Sequence, residues 1–168
     1  TGRRSSGKLS LALILAARLL ARGGPVALID PEGTTTPDVH TTPALEGLLV
    51  IRGGGVRAAL RATDALLETG AFPLIILDLP DPTTSQLNRF YTAEFMREAW
   101  GALDDGGVLG LAVQSAENYI GPELAAYLSC LGTTAETRFE NVILLPGDPC
   151  HVVASRSEAD LTRDPVEL

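Results

Sequence analysis

The sequence predicts an α/β fold: a single, mostly parallel sheet with helices on both faces, whose last two strands run antiparallel. Short apolar runs of strand type alternate with helical stretches along the chain, which is typical of such a sheet. The link at 146–150 is too short to hold a crossover helix, so the strands on either side of it should pair antiparallel. With 168 residues, 45% of them hydrophobic, the chain is long enough to bury a core.

The predicted elements follow from apolar spacing and from the residues that interrupt it. The helical stretches are rich in leucine, alanine and arginine and contain no proline, and we predict helices over 9–22, 56–69, 92–103 and 122–131. The apolar runs predict strands over 26–30, 48–52, 74–79, 108–113, 142–145 and 152–155. No long linker divides the chain, so we predict a single domain over 1–157 and a polar tail over 158–168.

Composition and charge narrow the class of protein. The formal net charge of −8 disfavours binding to nucleic acid, because an acidic surface repels phosphates. The apolar run at 9–20 is too short for a membrane span, and we expect a cytoplasmic protein, with an oligomer left open. Cys130 and Cys150 match no metal spacing and are predicted to be ordinary buried or semi-buried thiols, with a disulfide or a functional role as the alternative. Because the chain begins with Thr1 and not Met, we expect a piece upstream.

The first residues fit a phosphate-binding loop of the form G-x-x-x-x-G-K. Its glycines let backbone N–H groups surround phosphate oxygens, the lysine adds a positive charge, and a helix follows at once. The residues concerned are Gly2, Ser5, Ser6, Gly7 and Lys8. A basic turn at the entrance to a helix is the alternative interpretation of this short match.

The wider context of this loop resembles RecA-like ATPases. The resemblance covers about residues 2–78, and the stretch reads GRRSSGKLSLALILAARLLARGGPVALIDPEG. It implies that Glu32 activates the attacking water, that Asp78 is a Walker B carboxylate and that ATP with Mg²⁺ is the ligand. Leu9 stands where the family has the Ser or Thr that holds the metal, so hydrolysis is expected to be impaired. A solvated loop acid is the alternative for Glu32.

The second half resembles polyamine aminopropyltransferases, the spermidine synthase family, over about residues 74–155. The motifs are a strand ending in DLPDP, the following QLNRFYT and the later FENVILLPGDPCHVVAS. The resemblance implies a class I methyltransferase-like fold, decarboxylated S-adenosylmethionine as donor substrate and a polyamine as acceptor. It also implies roles for individual residues, namely Asp78 as general base, Asp81 as a second acid that holds the amine, Tyr91 in the substrate channel, and Pro146 and Gly147 at the polyamine pocket.

The chemistry of aminopropyl transfer explains why carboxylates are needed. An amine nucleophile is protonated at neutral pH, so a carboxylate must take its proton and hold it in line with the sulfonium carbon. The alternative is that Asp78 and Asp81 have no catalytic role, because an aspartate after a central strand and another before a proline are ordinary features of α/β proteins. We also read His40 and His151 as structural or surface residues, and predict no metal site.

The donor side of such an enzyme looks incomplete in this sequence. The glycines at 53–55 resemble the family's glycine-rich loop, but Asp30 precedes them, whereas the family's ribose-binding acid follows. Asp78 is the point at which both resemblances meet, since both families end an apolar strand there in aspartate. A hybrid, a fragment or a designed chain would show this pattern. Three interpretations therefore stay open: an aminopropyltransferase-like protein, a RecA-like ATP-binding protein and a non-catalytic α/β remnant.

Overall fold

A computed structural model of the chain describes residues 8–30, 43–52, 55–70, 72–77, 85–116 and 120–157. It has the predicted mixed α/β composition. Its contacts divide the chain into two compact units, Thr1–Phe72 and Pro73–Leu168. This boundary falls within the strand Phe72–Leu77, directly after its first residue, and the two sequence resemblances meet at Asp78, which follows that strand. Each unit is described by itself below, and the single domain over 1–157 stays a prediction.

The first unit is a small parallel strand pair with two helices. Helix α1 spans Lys8–Ala21, β1 Ala27–Asp30, β2 Leu49–Arg52 and α2 Gly55–Leu67, with one turn of 3-10 helix at Pro43–Leu45. Strands β1 and β2 pair in parallel from Ala27 opposite Leu49 to Asp30 opposite Arg52. Ala16 and Leu45 are buried together, and the half-buried Leu13, Leu20, Val26 and Val50 pack around them. The core of this unit is accordingly small.

The second unit contains a four-stranded sheet and the larger core. Its elements are β3 Phe72–Leu77, α3 Ser85–Asn88, a 3-10 turn at Arg89–Tyr91, α4 Ala93–Ala102, β4 Leu103–Val113, α5 Pro122–Glu136, β5 Asn141–Leu145 and β6 Cys150–Ser155. The strand order is β3-β4-β6-β5. The last strand along the chain therefore lies between two earlier ones.

The predicted antiparallel pairing of the last two strands is confirmed, but the single sheet is wrong. Strand β6 runs antiparallel to β5, from Asn141 opposite Ser155 to Leu145 opposite His151, and is also antiparallel to β4. Two of the three pairs of neighbouring strands in this sheet are therefore antiparallel, so the prediction of a mostly parallel sheet is also wrong for these four strands. Strands β1 and β2 form a separate two-stranded sheet, and the apolar runs from which a single sheet was predicted locate strands without determining which strands pair.

One face of the four-stranded sheet carries the core. Alternate residues of β4, namely Leu109, Leu111 and Val113, are buried, and so are Cys150, Val152 and Ala154 of β6. Helix α4 contacts β4, α5 contacts β5, and the two helices contact each other, so both lie over this face. Phe95, Met96 and Ala99 from α4 and Leu128, Leu131 and Ala135 from α5 complete the core. Helices on the other face stay a prediction.

Helix α5 is longer than its sequence predicts. We expected it to end near 131, before Gly132 and two threonines, whereas it continues to Glu136. A Cβ on Gly132 would lie 3.3 Å from Cδ1 of Leu144, so the glycine allows α5 to approach β5 closely. Thr134 and Thr137 donate their hydroxyls to the carbonyls of Cys130 and Thr134, which satisfies these polar groups within the helix and its C-terminal turn.

None of the helices in the described residues is long and apolar enough to cross a bilayer. Helix α1, which contains the apolar run noted in the sequence, has 14 residues, fewer than the roughly 20 that a spanning helix needs.

Candidate functional site

The carboxyl ends of β4 and β5 and the start of β6 meet at one edge of the four-stranded sheet, which we call the carboxyl edge. The register sets this edge, because Val113 at the end of β4 lies opposite Cys150, and Leu145 at the end of β5 lies opposite His151. The turn at 146–149 therefore stands beside the segment that leaves β4 at Gln114. Ligands of open α/β sheets bind beyond this kind of edge.

The turn at this edge contains both residues that the sequence assigned to a polyamine pocket. Pro146 is exposed, and Gly147 has φ of 154°. A side chain at Gly147 would also meet the carbonyl oxygen of Pro149 at 3.3 Å, so glycine suits the turn on two grounds. The Asp148–Pro149 peptide is cis. The turn thus presents one exposed carboxylate, Asp148, at the carboxyl edge.

Cys150 follows this turn and is a buried thiol. Only 2% of its surface is exposed, and burial raises the pKa of its thiol above the ordinary value. Neither cysteine forms a disulfide. Cys150 is buried as predicted, whereas Cys130, which we expected to be buried or semi-buried, is exposed. His151 points away from the core face and is exposed, as a surface residue would be.

Tyr91 ends the 3-10 turn between β3 and α4, and its neighbour in sequence, Phe90, belongs to an aromatic pair. Only 9% of Tyr91 is exposed, and the neighbouring Phe90 is buried. The rings of Phe90 and Phe95 meet edge to face with their centroids 5.2 Å apart, and the guanidinium of Arg89 lies 5.3 Å from the Phe90 ring centroid. Its placement in a substrate channel stays a prediction.

The structure describes only some of the remaining predicted site residues. Lys8 is the first residue of α1. The residues outside the described part of the chain are Gly2, Ser5, Ser6, Gly7, Glu32, His40, Asp78 and Asp81. Leu77, directly before Asp78, is buried at the end of β3.

The first unit has a carboxyl edge of its own. Asp30 ends β1 opposite Arg52, and α2 begins at Gly55, after the glycines that follow β2. Along the chain Asp30 precedes those glycines, whereas the ribose-binding acid of the aminopropyltransferase family follows them. Parallel pairing nevertheless places the ends of both strands side by side, a relation that sequence order alone does not reveal.

At the opposite end of the four-stranded sheet, Arg156 contacts Trp100, Leu103 and Asp105, and we call this group the Trp100–Arg156 cluster. It was not predicted from the sequence. The Arg156 guanidinium lies 4.0 Å from the Trp100 ring centroid, and it donates a hydrogen bond to the Leu103 carbonyl. It also approaches the exposed carboxylate of Asp105 at 3.5 Å, and its backbone N–H donates to the Gly107 carbonyl at 3.3 Å. These contacts fasten the end of β6 to the start of β4. This cluster is structural and lies away from the carboxyl edge.

Charge is distributed unevenly between the two units. Residues 73–168 contain fifteen acidic and five basic side chains, a formal charge of −10, whereas residues 1–72 contain six acidic and eight basic ones. The acidity of the chain therefore belongs to the unit that contains Asp78 and Asp81. A surface of this sign raises the local concentration of cationic ligands. Among the described residues no group of His, Cys, Asp and Glu could hold a metal ion.

In sequence, the chain is similar to RecA proteins over part of its length. It is 37% identical to RecA of a Nocardioides species over 79 residues, which is 46% of this chain and 23% of that protein. It is 26% identical to RecA of Mycobacterium bovis over 135 residues, which is 71% of this chain and 17% of that protein. The chain thus spans about a quarter or less of these relatives. No family model matches it.

In fold, the chain is similar to spermidine synthases and methyltransferase-like proteins. A spermidine synthase in complex with the transition-state analogue AdoDATO aligns with 84% of this chain and 50% of its own, with a TM-score of 0.54 and 17% identity. Human methyltransferase-like protein 13 in complex with SAH aligns with 91% of this chain and 82% of its own, with a TM-score of 0.55 and 18% identity. Both resemblances found in the sequence are therefore present, one in sequence and the other in fold.

Proposed function

We propose that the chain is a polyamine aminopropyltransferase-like protein whose second unit accepts the amine. The observation that carries this proposal is the likeness in fold to spermidine synthase, combined with a D-x-x-D sequence directly after the buried end of β3. The donor would be decarboxylated S-adenosylmethionine. The two solved neighbours, which are complexed with AdoDATO and SAH, support a ligand of this adenosyl-sulfur class.

In the proposed reaction Asp78 is the general base and Asp81 holds the cationic amine. The amine nitrogen, once Asp78 has taken its proton, attacks the aminopropyl carbon next to the sulfonium. A carbon–nitrogen bond forms as the carbon–sulfur bond breaks, and its electrons remain on sulfur, which leaves as the neutral thioether methylthioadenosine.

The topology supports placing these carboxylates at the carboxyl edge. Strands β3 and β4 are neighbours, and the chain between them, residues 78–102, contains α4. A connection through a helix is typical of parallel neighbours in α/β sheets, so we infer that β3 runs parallel to β4. On that basis the end of β3 lies at the same edge as the end of β4 and the turn with Pro146 and Gly147.

The charge of the second unit supports a polycationic acceptor. A formal charge of −10 over residues 73–168 attracts a diamine or triamine at long range, and this attraction weakens as salt is added. We therefore expect putrescine or spermidine to bind in the millimolar range or more tightly, with an affinity that falls as ionic strength rises.

Binding and transfer can be tested with three matched variants that each remove one negative charge. Asp81→Asn is expected to abolish the binding of putrescine measured by calorimetry. Asp78→Asn should spare part of that binding but abolish the release of methylthioadenosine from decarboxylated S-adenosylmethionine. The control is Asp104→Asn, because Asp104 is exposed and precedes the paired stretch Val108–Val113, which separates it from the carboxyl edge by about 17 Å. Absence of putrescine binding in the parent, or an equal loss in the control, would overturn the proposal.

The second candidate is a RecA-like ATP-binding protein. The specific observations that favour it are the identity to RecA proteins and the start of α1 at Lys8, directly after the glycine loop. Because Leu9 replaces the hydroxyl that would hold the metal, ATP binding should depend little on Mg²⁺. Lys8→Ala should abolish ATP binding, whereas Arg18→Ala, which removes an exposed charge from the same helix, should not. If both variants bind ATP as the parent does, the phosphate loop is not a site.

The same asparagine variants separate the two candidates. An aminopropyltransferase predicts that Asp81→Asn loses polyamine and leaves ATP binding unchanged. A RecA-like protein predicts that Asp78→Asn disturbs the binding of ATP with Mg²⁺, while Asp81→Asn changes nothing. If neither variant alters either ligand, the non-catalytic interpretation of the fold is the one that survives.

A further inference from the structure

We draw no further inference here: the strongest candidate, the exposed Leu145 side chain on the outer strand β5, has nothing in the described part of the structure to show what covers it.

Discussion

Replacing Arg156 with alanine is expected to lower the stability of the second unit more than its position near the end of β6 suggests. The Arg156 side chain is only 19% exposed. Its guanidinium contacts the Leu103 carbonyl, the Trp100 ring and the Asp105 carboxylate at the same time. The Leu103 residue that supplies the carbonyl is itself buried. Arg156→Ala would therefore leave the Leu103 carbonyl without the hydrogen bond that the guanidinium donates to it.

The size of the loss can be worked out from these contacts. A hydrogen bond from a charged donor contributes about 1.5 kcal/mol. Stacking on the Trp100 ring contributes about 1 kcal/mol. The ion pair with the fully exposed Asp105 contributes only a few tenths, because solvent screens it. We therefore expect Arg156→Ala to lower the free energy of unfolding by about 3 kcal/mol.

The assay is urea denaturation followed by the fluorescence of Trp100, the one tryptophan in the sequence, so the signal reports on the second unit. With an m-value of about 2 kcal/mol per molar urea, the midpoint should fall by about 1.5 M. Arg138→Ala is the matched control, because the Arg138 guanidinium lies 5.8 Å from the same ring centroid and the residue is exposed. It should cost less than about 0.5 kcal/mol.

Two outcomes would refute this reasoning. One is an equal loss in Arg156→Ala and Arg138→Ala, which would mean that the ring contact alone, and not the buried carbonyl, sets the energy. The other is full stability in Arg156→Ala, which would mean that the cluster does not hold β6. Arg156→Lys should fall between the parent and Arg156→Ala, because lysine keeps the charge but lacks the planar fork that reaches several partners.

Three further predictions concern individual side chains. Gly132→Ala should raise stability by roughly 0.5–1 kcal/mol, because alanine favours the helix and the half-exposed Leu144 can shift, and thermal unfolding checks it. Cys130 should react with a thiol reagent quickly and Cys150 slowly, since burial raises the pKa of the latter; equal rates contradict this. The helix α4 backbone and Thr92 lower the pKa of Glu94, so the stability advantage of the parent over Glu94→Gln should be present at neutral pH. It should be lost as pH falls below the ordinary value of 4.5 and through the lowered pKa.

The elements of this fold were largely predictable, whereas their lateral order was not. Apolar runs bounded by glycine and proline locate β1, β2, β3 and β5 within two residues, because burial requires apolar side chains at those positions. The same runs contain no information on which strand lies beside which, so the two separate sheets and the interior position of β6 were not found. The extension of α5 past Gly132 depends on a contact with β5, a tertiary cause that overrides the low helix propensity of glycine.

The candidate site was predictable only in its chemistry. Residue type and position after an apolar strand single out Asp78, and turn residues single out Pro146 and Gly147. That the turn stands beside the end of β4 follows from the register between Val113 and Cys150, which joins residues far apart in the chain. The Trp100–Arg156 cluster is likewise a long-range pairing without any local signal.

The interior position of β6 has a consequence for synthesis on the ribosome. Of the described strands it emerges last, yet β4 and β5 are joined only through it. Until Ser155 has left the exit tunnel, the nascent chain holds β4 and β5 apart, with the apolar Leu109 and Leu111 lacking their cross-strand neighbours. Sheet closure must therefore wait until β6 has been synthesised, a non-local step that is slow and exposes unpaired strand edges to aggregation. A message truncated before Cys150 would yield a chain that cannot complete this sheet.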